Sequence, residues 1–132
     1  MVSKKKQIYI VDDDESIRRA LSLLLDTYGF EVRTFASAVE FLNSILKSAP
    51  GCLILDVHMA GMDGFTLQQK LNSNGFRLPI IFISADKNLK FSEPYLKAAG
   101  AVGFLQKPFN DQELVDLIQV ALEKQERGFR VR

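Results

Sequence analysis

The sequence predicts an α/β domain in which five parallel strands alternate with five helices, and three observations carry that expectation. Short continuous apolar runs recur along the chain, among them Ile8-Tyr9-Ile10-Val11, Cys52-Leu53-Ile54-Leu55 and Ile80-Ile81-Phe82-Ile83. Amphipathic stretches of helical period separate them, which is the pattern of strands buried on both faces of a sheet. Three runs stop at or just before charge: the first at Asp12-Asp13, the second at Asp56, and Val102 to Leu105 just before Lys107-Pro108. In an open parallel sheet the ligand crevice lies at the carboxyl ends of the strands, so these charges converge on one place.

Taken in order, strands are expected near 7–11, 31–35, 52–56, 79–83 and 102–106, and helices near 14–28, 37–47, 64–73, 92–99 and 110–126. The first helix carries Ile17, Leu21, Leu24 and Tyr28 on one stripe. The last carries Leu114, Leu117, Ile118, Ala121 and Leu122, with Val115 and Val120 away from it. Each stripe can cover a sheet face. Ser37 with Glu40 and Asn110 with Glu113 have capping-box spacing, and Phe109 with Leu114 matches a hydrophobic staple. Strands one, three and four are apolar almost throughout, whereas Glu31-Val32-Arg33-Thr34-Phe35 and Val102-Gly103-Phe104-Leu105-Gln106 are mixed, as suits edges. Edges at strands two and five, with right-handed crossovers, select the order 2-1-3-4-5, a flavodoxin-like arrangement. Its switch point falls between strands one and three, where Asp12, Asp13 and Asp56 lie. The expected organisation is an N-terminal tail over 1–6, one domain over 7–127, and a tail or the start of a linker over 128–132.

Composition narrows the class. A chain of 132 residues can bury about two thirds of its unfolded surface as one domain. The net charge of +1 and near-half apolar content indicate neither disorder nor the broad basic footprint of a nucleic-acid binder. Cys52 is the one cysteine and lies inside an apolar run, so it reads as a buried structural thiol with no internal disulfide. The apolar stretch after Lys4-Lys5-Lys6 ends at Asp12, too short for a signal peptide, and no run is long enough to span a bilayer. A cytoplasmic protein with no membrane partner is expected.

Each acid has an ordinary explanation when taken singly. Asp13, Asp14 and Glu15 open a helix, where carboxylates cap free N–H groups, and Asp56 can be a plain cap as well. Together they are harder to explain, because two carboxylates about 4 Å apart repel by roughly 4 kcal/mol at an effective dielectric of 20. A cation relieves that repulsion. Hard oxygen donors without clustered His or Cys suit Mg²⁺, which keeps waters and bridges to phosphate oxygens. Lys107 follows the last strand at the same sheet end and supplies positive charge. Ser84 adds a hydroxyl at that rim, as a turn cap or as a functional group.

The ordered set Val11-Asp12-Asp13-Asp14, Leu55-Asp56-Val57-His58-Met59, Gly61-Met62-Asp63-Gly64, Ser84-Ala85 and Lys107-Pro108-Phe109 resembles the receiver domain of two-component response regulators, over nearly the whole chain. The resemblance implies that Asp56 is the phosphoacceptor and that Asp12 and Asp13 are the acidic pair around Mg²⁺, Asp13 directly and Asp12 through water. The backbone carbonyl of His58 completes the protein's Mg²⁺ ligands. Lys107 is implied to contact the phosphoryl group, Ser84 and Phe104 to be the switch pair, and Lys107-Pro108 to be a cis bond. The implied function is Mg²⁺-dependent phosphoryl transfer from a phosphohistidine of a sensor histidine kinase or phosphotransfer protein to Asp56. The chain is then no enzyme beyond its own phosphorylation and dephosphorylation. Its output surface is the face of the fourth helix, fifth strand and fifth helix, contacting an effector or a second copy in a homodimer.

Two rivals stay open. A degenerate receiver would act as a phosphorylation-independent interaction module. An aspartyl-phosphate hydrolase would want a second Asp two residues after Asp56, where His58 stands. A flavin protein of the same topology would want Gly, Ser and Thr in the first turn rather than acids. Two features depart from the family: Ala60 stands where Pro is usual, and the segment from Ser84 to Lys107 is one residue longer, with Lys87 to Pro94 replacing the common loop. His58, the single histidine, is a tuner of phosphoryl lifetime or a passive surface residue.

Overall fold

Apolar residues at every position of Ile8–Val11, Cys52–Leu55 and Ile80–Ile83 leave those segments no solvent-facing side, and in the computed structural model they form the middle of a sheet. The structure describes residues 5–86 and 101–130. Strands β1 (Gln7–Val11), β2 (Glu31–Phe35), β3 (Cys52–Asp56), β4 (Ile80–Ser84) and β5 (Ala101–Gln106) are all parallel, in the order β2-β1-β3-β4-β5. The order and the placing of the mixed strands at the edges are as the sequence predicts.

Four helices are described: α1 (Glu15–Thr27), α2 (Ala38–Ser44), α3 (Gly64–Ser73) and α4 (Asp111–Arg130). The helix expected near 92–99, and the replaced loop from Lys87 to Pro94, lie outside the described residues. Helices α1 and α4 cover one face of the sheet, where Leu21, Leu25, Leu114, Ile118 and Ala121 meet Ile8, Ile10, Ile54, Ile81 and Ile83. Helices α2 and α3 cover the other, where Phe41, Leu67 and Leu71 meet Tyr9, Val11, Leu53, Leu55 and Phe82. Fully buried Phe41 stands edge-on to Phe35 at 5.1 Å and to Tyr9 at 6.0 Å. Such pairs add about 0.5–1.5 kcal/mol each beyond area burial.

The caps follow the sequence. Asp14 accepts from the amides of Ser16 and Ile17 at the start of α1, Ser37 from Glu40 at α2, and Asp63 from Thr66 at α3. Asn110 accepts from Gln112 and Glu113 while its own amide donates to Glu113, so the capping box before α4 is complete. Phe109 joins the same apolar cluster as Leu114.

Several expectations need correction. Tyr28 is 47% exposed, and Leu25, fully buried, takes its place on the α1 stripe. Tyr28 is the C-cap residue, past the last helical position, so helical spacing no longer aims its side chain. Val115 is buried, because the covered face of α4 is wide enough to take Val115 beside Leu114; Val120 stays exposed at 42%. Helix α2 stops at Ser44, where Ile45 turns extended and buries its side chain, while α4 continues through Arg130.

Strand β5 carries one irregularity. Ile80 pairs with Ala101 but Ile81 pairs with Gly103, so Val102 is an extra residue. Val102 packs on the α1/α4 side, and a Cβ on Gly103 would meet Leu117 of α4 on that same side. Two successive positions thus share a face, the signature of a bulge. Regular alternation resumes at Phe104, opposite Phe82.

Candidate phosphoacceptor site

The carboxyl ends of β1, β3, β4 and β5 bring Asp12, Asp56, Ser84 and Lys107 to one rim of the sheet. Asp12 is fully buried and Asp56 is 5% exposed. One carboxylate oxygen from each of Asp12, Asp13 and Asp56 lies within 4.8 Å of the other two. At that spacing each ionised pair repels by about 3.5 kcal/mol at an effective dielectric of 20, so the trio is held together against a substantial cost.

Lys107 offsets part of it. Its Nζ donates to Asp12 Oδ2 at 2.9 Å and stands 3.8 Å from Asp56 Oδ1. The backbone that carries it is tied to β4, because Lys107 N–H donates to the Ser84 carbonyl at 2.7 Å; the Lys107-Pro108 bond that follows is cis, as the resemblance implies. Asp12 is clamped on other sides too. Its Oδ1 accepts from the Asp14 amide at 2.9 Å, and its backbone carbonyl accepts from Arg18 of α1 at 2.8 Å.

Asp13 is exposed on the turn after β1, and its Oδ2 accepts from the Ala60 amide at 3.0 Å. Burial, with the Asp12 charge next, pushes the Asp56 carboxyl up to about 6, against the pull of Lys107 and a hydrogen bond from the His58 amide. The charged form of Asp56 is thus the costly one, and a cation at the trio would favour it.

Helix α3 starts hard against the end of β3. Gly64 N–H donates to the Val57 carbonyl at 2.8 Å, and a Cβ on Gly64 would run into the Asp56 carbonyl oxygen, so no side chain fits without a shift of backbone. His58 points outward, 58% exposed, with Nε2 at 3.3 Å from Asp86 Oδ2. Buried Ser84 accepts through Oγ from the Asp86 amide at 3.0 Å, so in this conformation its hydroxyl caps a turn. Phe104 is half-buried and packs on the α2/α3 cluster rather than on the acids. Pro108 is exposed.

The sequence did not disclose the Ala60 amide, the Arg18 guanidinium or the Asp86 carboxylate as parts of this region. Ala60 acts through a backbone group, which no side-chain pattern marks. Arg18, one turn after the Asp14 cap, is the one of the three with a usable signal. A cavity of about 530 Å³ opens beside Tyr9, Pro50, Gly51, Leu122 and Gln125, at the far end of the strands, and the acids take no part in it.

The arrangement places a buried carboxylate beside two further acids and an amine at the carboxyl end of a parallel sheet, an acidic cluster suited to a hard cation and an anionic group. Comparison with known proteins agrees. The model of the response regulator receiver domain matches residues 8–119, and the chain belongs to that family. It is 44% identical over 123 residues to the response regulator protein TodT of Pseudomonas putida, covering 93% of this chain and 54% of that protein. It is 40% identical over 122 residues to nodulation protein W of Bradyrhizobium diazoefficiens, covering 92% and 53%. Among solved structures, the response regulator StyR aligns with a TM-score of 0.90 at 39% identity, over 96% of this chain and 64% of that one. The FixJ-N structure aligns at 0.81 and 32%, over 92% and 96%. The chain spans about half the length of the curated relatives it matches. It is therefore a receiver domain of two-component signalling, and no described helix is long and apolar enough to cross a membrane.

Proposed function

We propose that this receiver accepts a phosphoryl group on Asp56 from a phosphohistidine of a sensor histidine kinase or phosphotransfer protein, and that the change alters which partner it binds. The observation that carries this is Asp56 at the end of β3, within 4.8 Å of both Asp12 and Asp13 oxygens and 3.8 Å from the Lys107 amine.

The donor set fits Mg²⁺: three hard carboxylate oxygens in one cluster, with no cysteine or histidine side chain among them. Asp13, Asp56 and the His58 backbone carbonyl would hold the ion, with Asp12 acting through water. When bound, Mg²⁺ supplies charge neutralisation at the transferring phosphoryl oxygens. The Asp56 carboxylate attacks phosphorus in line, the bond to the donor histidine nitrogen breaks, and an acyl phosphate forms on Asp56. Lys107, already 3.8 Å from Asp56 Oδ1, pairs with a phosphoryl oxygen and keeps Asp12 from repelling it.

The switch residues are Ser84 and Phe104. Phosphoryl oxygens draw the Ser84 hydroxyl from the Asp86 amide, and Phe104 moves into the space vacated, biasing a two-state surface. That surface is the face of β5 and α4 together with the segment expected as a helix near 92–99, and it contacts an effector or a second copy. The setting is the cytoplasm, and the receiver catalyses only its own phosphorylation and dephosphorylation.

Mass spectrometry after incubation with a small phosphodonor and Mg²⁺ tests the acceptor. The wild-type chain gains one phosphate, and Asp56→Asn, folded by amide NMR, gains none. Equal labelling of the folded variant would end the assignment.

A further inference from the structure

The three acids differ in how they are held. Asp12 is buried and bonded to Lys107 and to the Asp14 amide. Asp56 is fixed by the strand it ends and by the His58 amide. Asp13 has neither burial nor a strand, yet its oxygen stands in the same cluster. The contact that ties it there is the Ala60 amide, 3.0 Å from Oδ2 and 47 residues away in sequence.

We propose that the Ala60 N–H is a positioning donor that holds the Asp13 carboxylate toward Asp12 and Asp56 and so sets the affinity of the cluster for a divalent cation. The proposal rests on the Mg²⁺ reading above. A carboxylate has about four acceptor positions on its two oxygens, so one bond to Oδ2 restrains rotation while leaving the rest for a metal or its waters. An exposed Asp otherwise loses rotamer freedom when a cation binds; here that freedom is already reduced. Hydrogen bonds to ligating carboxylates typically alter metal affinity by about 10–100-fold when removed. The bond also joins the turn after β1 to the loop after β3, across the mouth of the site. It exists only because residue 60 has an N–H. Proline at this position would have no hydrogen to donate.

The experiment is a Mg²⁺ titration of the ¹⁵N-labelled full chain followed by amide NMR, on wild type, Ala60→Gly and Ala60→Pro. Wild type and Ala60→Gly, which both keep the N–H, bind with indistinguishable affinity, and Ala60→Pro binds more weakly by about tenfold or more. In an Asp13→Ala background, which leaves no side-chain acceptor at this position, Ala60→Pro adds no further loss, because the donor acts through Asp13. A second measurement does not depend on the proline variant folding: hydrogen exchange at the Ala60 amide of the metal-free chain is slower in wild type than in Asp13→Ala.

Equal affinity of wild type and Ala60→Pro overturns the proposal while the metal reading stands. Tighter binding by Ala60→Pro also overturns it, since the amide would then be competing with the metal. So does the same loss in both backgrounds, or equal exchange rates. Absence of any Mg²⁺-dependent shift near Asp12, Asp13 and Asp56 in wild type removes the metal reading itself.

Discussion

Replacing Asp56 by Asn should make the metal-free protein more stable at neutral and alkaline pH, although it removes the acceptor. The folded carboxyl titrates at about 6, raised from 3.8 by burial first and then by Asp12. A raised pKa means the folded state holds this proton more tightly than the unfolded chain does. Stability contributed by Asp56 is therefore lost as pH rises from about 4 through about 6, and the loss is complete above that. Roughly two pH units at 1.36 kcal/mol each put the penalty at about 3 kcal/mol at pH 8. Asn carries no charge, so it escapes the penalty while keeping nearly the same volume. Urea unfolding at pH 8 without Mg²⁺ should show Asp56→Asn more stable by about 3 kcal/mol. At pH 4 the two proteins should be nearly equal, because wild-type Asp56 is then protonated. Adding Mg²⁺ at pH 8 should stabilise wild type more than the variant, since a ligand of the folded state raises stability in proportion to its binding. No gain at pH 8, or the same gain at both pH values, would refute the claim that ionised Asp56 is strained by burial and by its acidic neighbour.

Lys107→Ala leaves buried Asp12 without its 2.9 Å partner and removes a cation beside Asp56. It should cost about 3 kcal/mol in urea at pH 8, and carboxyl NMR should show Asp56 titrating at higher pH than in wild type. Gly64→Ala drives a methyl group into the Asp56 carbonyl oxygen. The start of α3 must then shift, costing about 1–3 kcal/mol and moving the Val57 and Gly64 amide signals even in the unphosphorylated protein.

The central strands were legible because both faces of β1, β3 and β4 are covered, which leaves Ile8–Val11, Cys52–Leu55 and Ile80–Ile83 as continuous apolar runs with polar residues only at the strand ends. The mixed composition of Glu31–Phe35 and Val102–Gln106 gave away the edges, and the strand order followed from that. Helix faces were legible in direction but not in width. A stripe through Leu114, Ile118 and Ala121 has room for Val115 as well, and how much of it is covered depends on a sheet that one-dimensional spacing does not describe. Asp12, Asp56 and Lys107 could be found because strand ends share one rim. Ala60 and Asp86 could not, since a loop amide and a side chain beyond a strand end acquire their partners only when the loops are placed; Arg18, one turn into α1, left a signal only through its spacing from Asp14.

The bulge at Val102 gives β5 a form of slack. A strand that gains one residue without a bulge slides every later side chain by one place and onto the opposite face. Phe104 would then turn toward α4, and the Lys107 amine would leave Asp12. Doubling Val102 and Gly103 on one side absorbs the surplus within a single step of the ladder, ahead of Phe104 and Lys107. The chain between β4 and the lysine can thus differ in length by one residue while the amine arrives 2.9 Å from its carboxylate. An insertion or deletion ahead of Phe104 is then a change at the bulge, and the register of Phe104 and Lys107 is insulated from it.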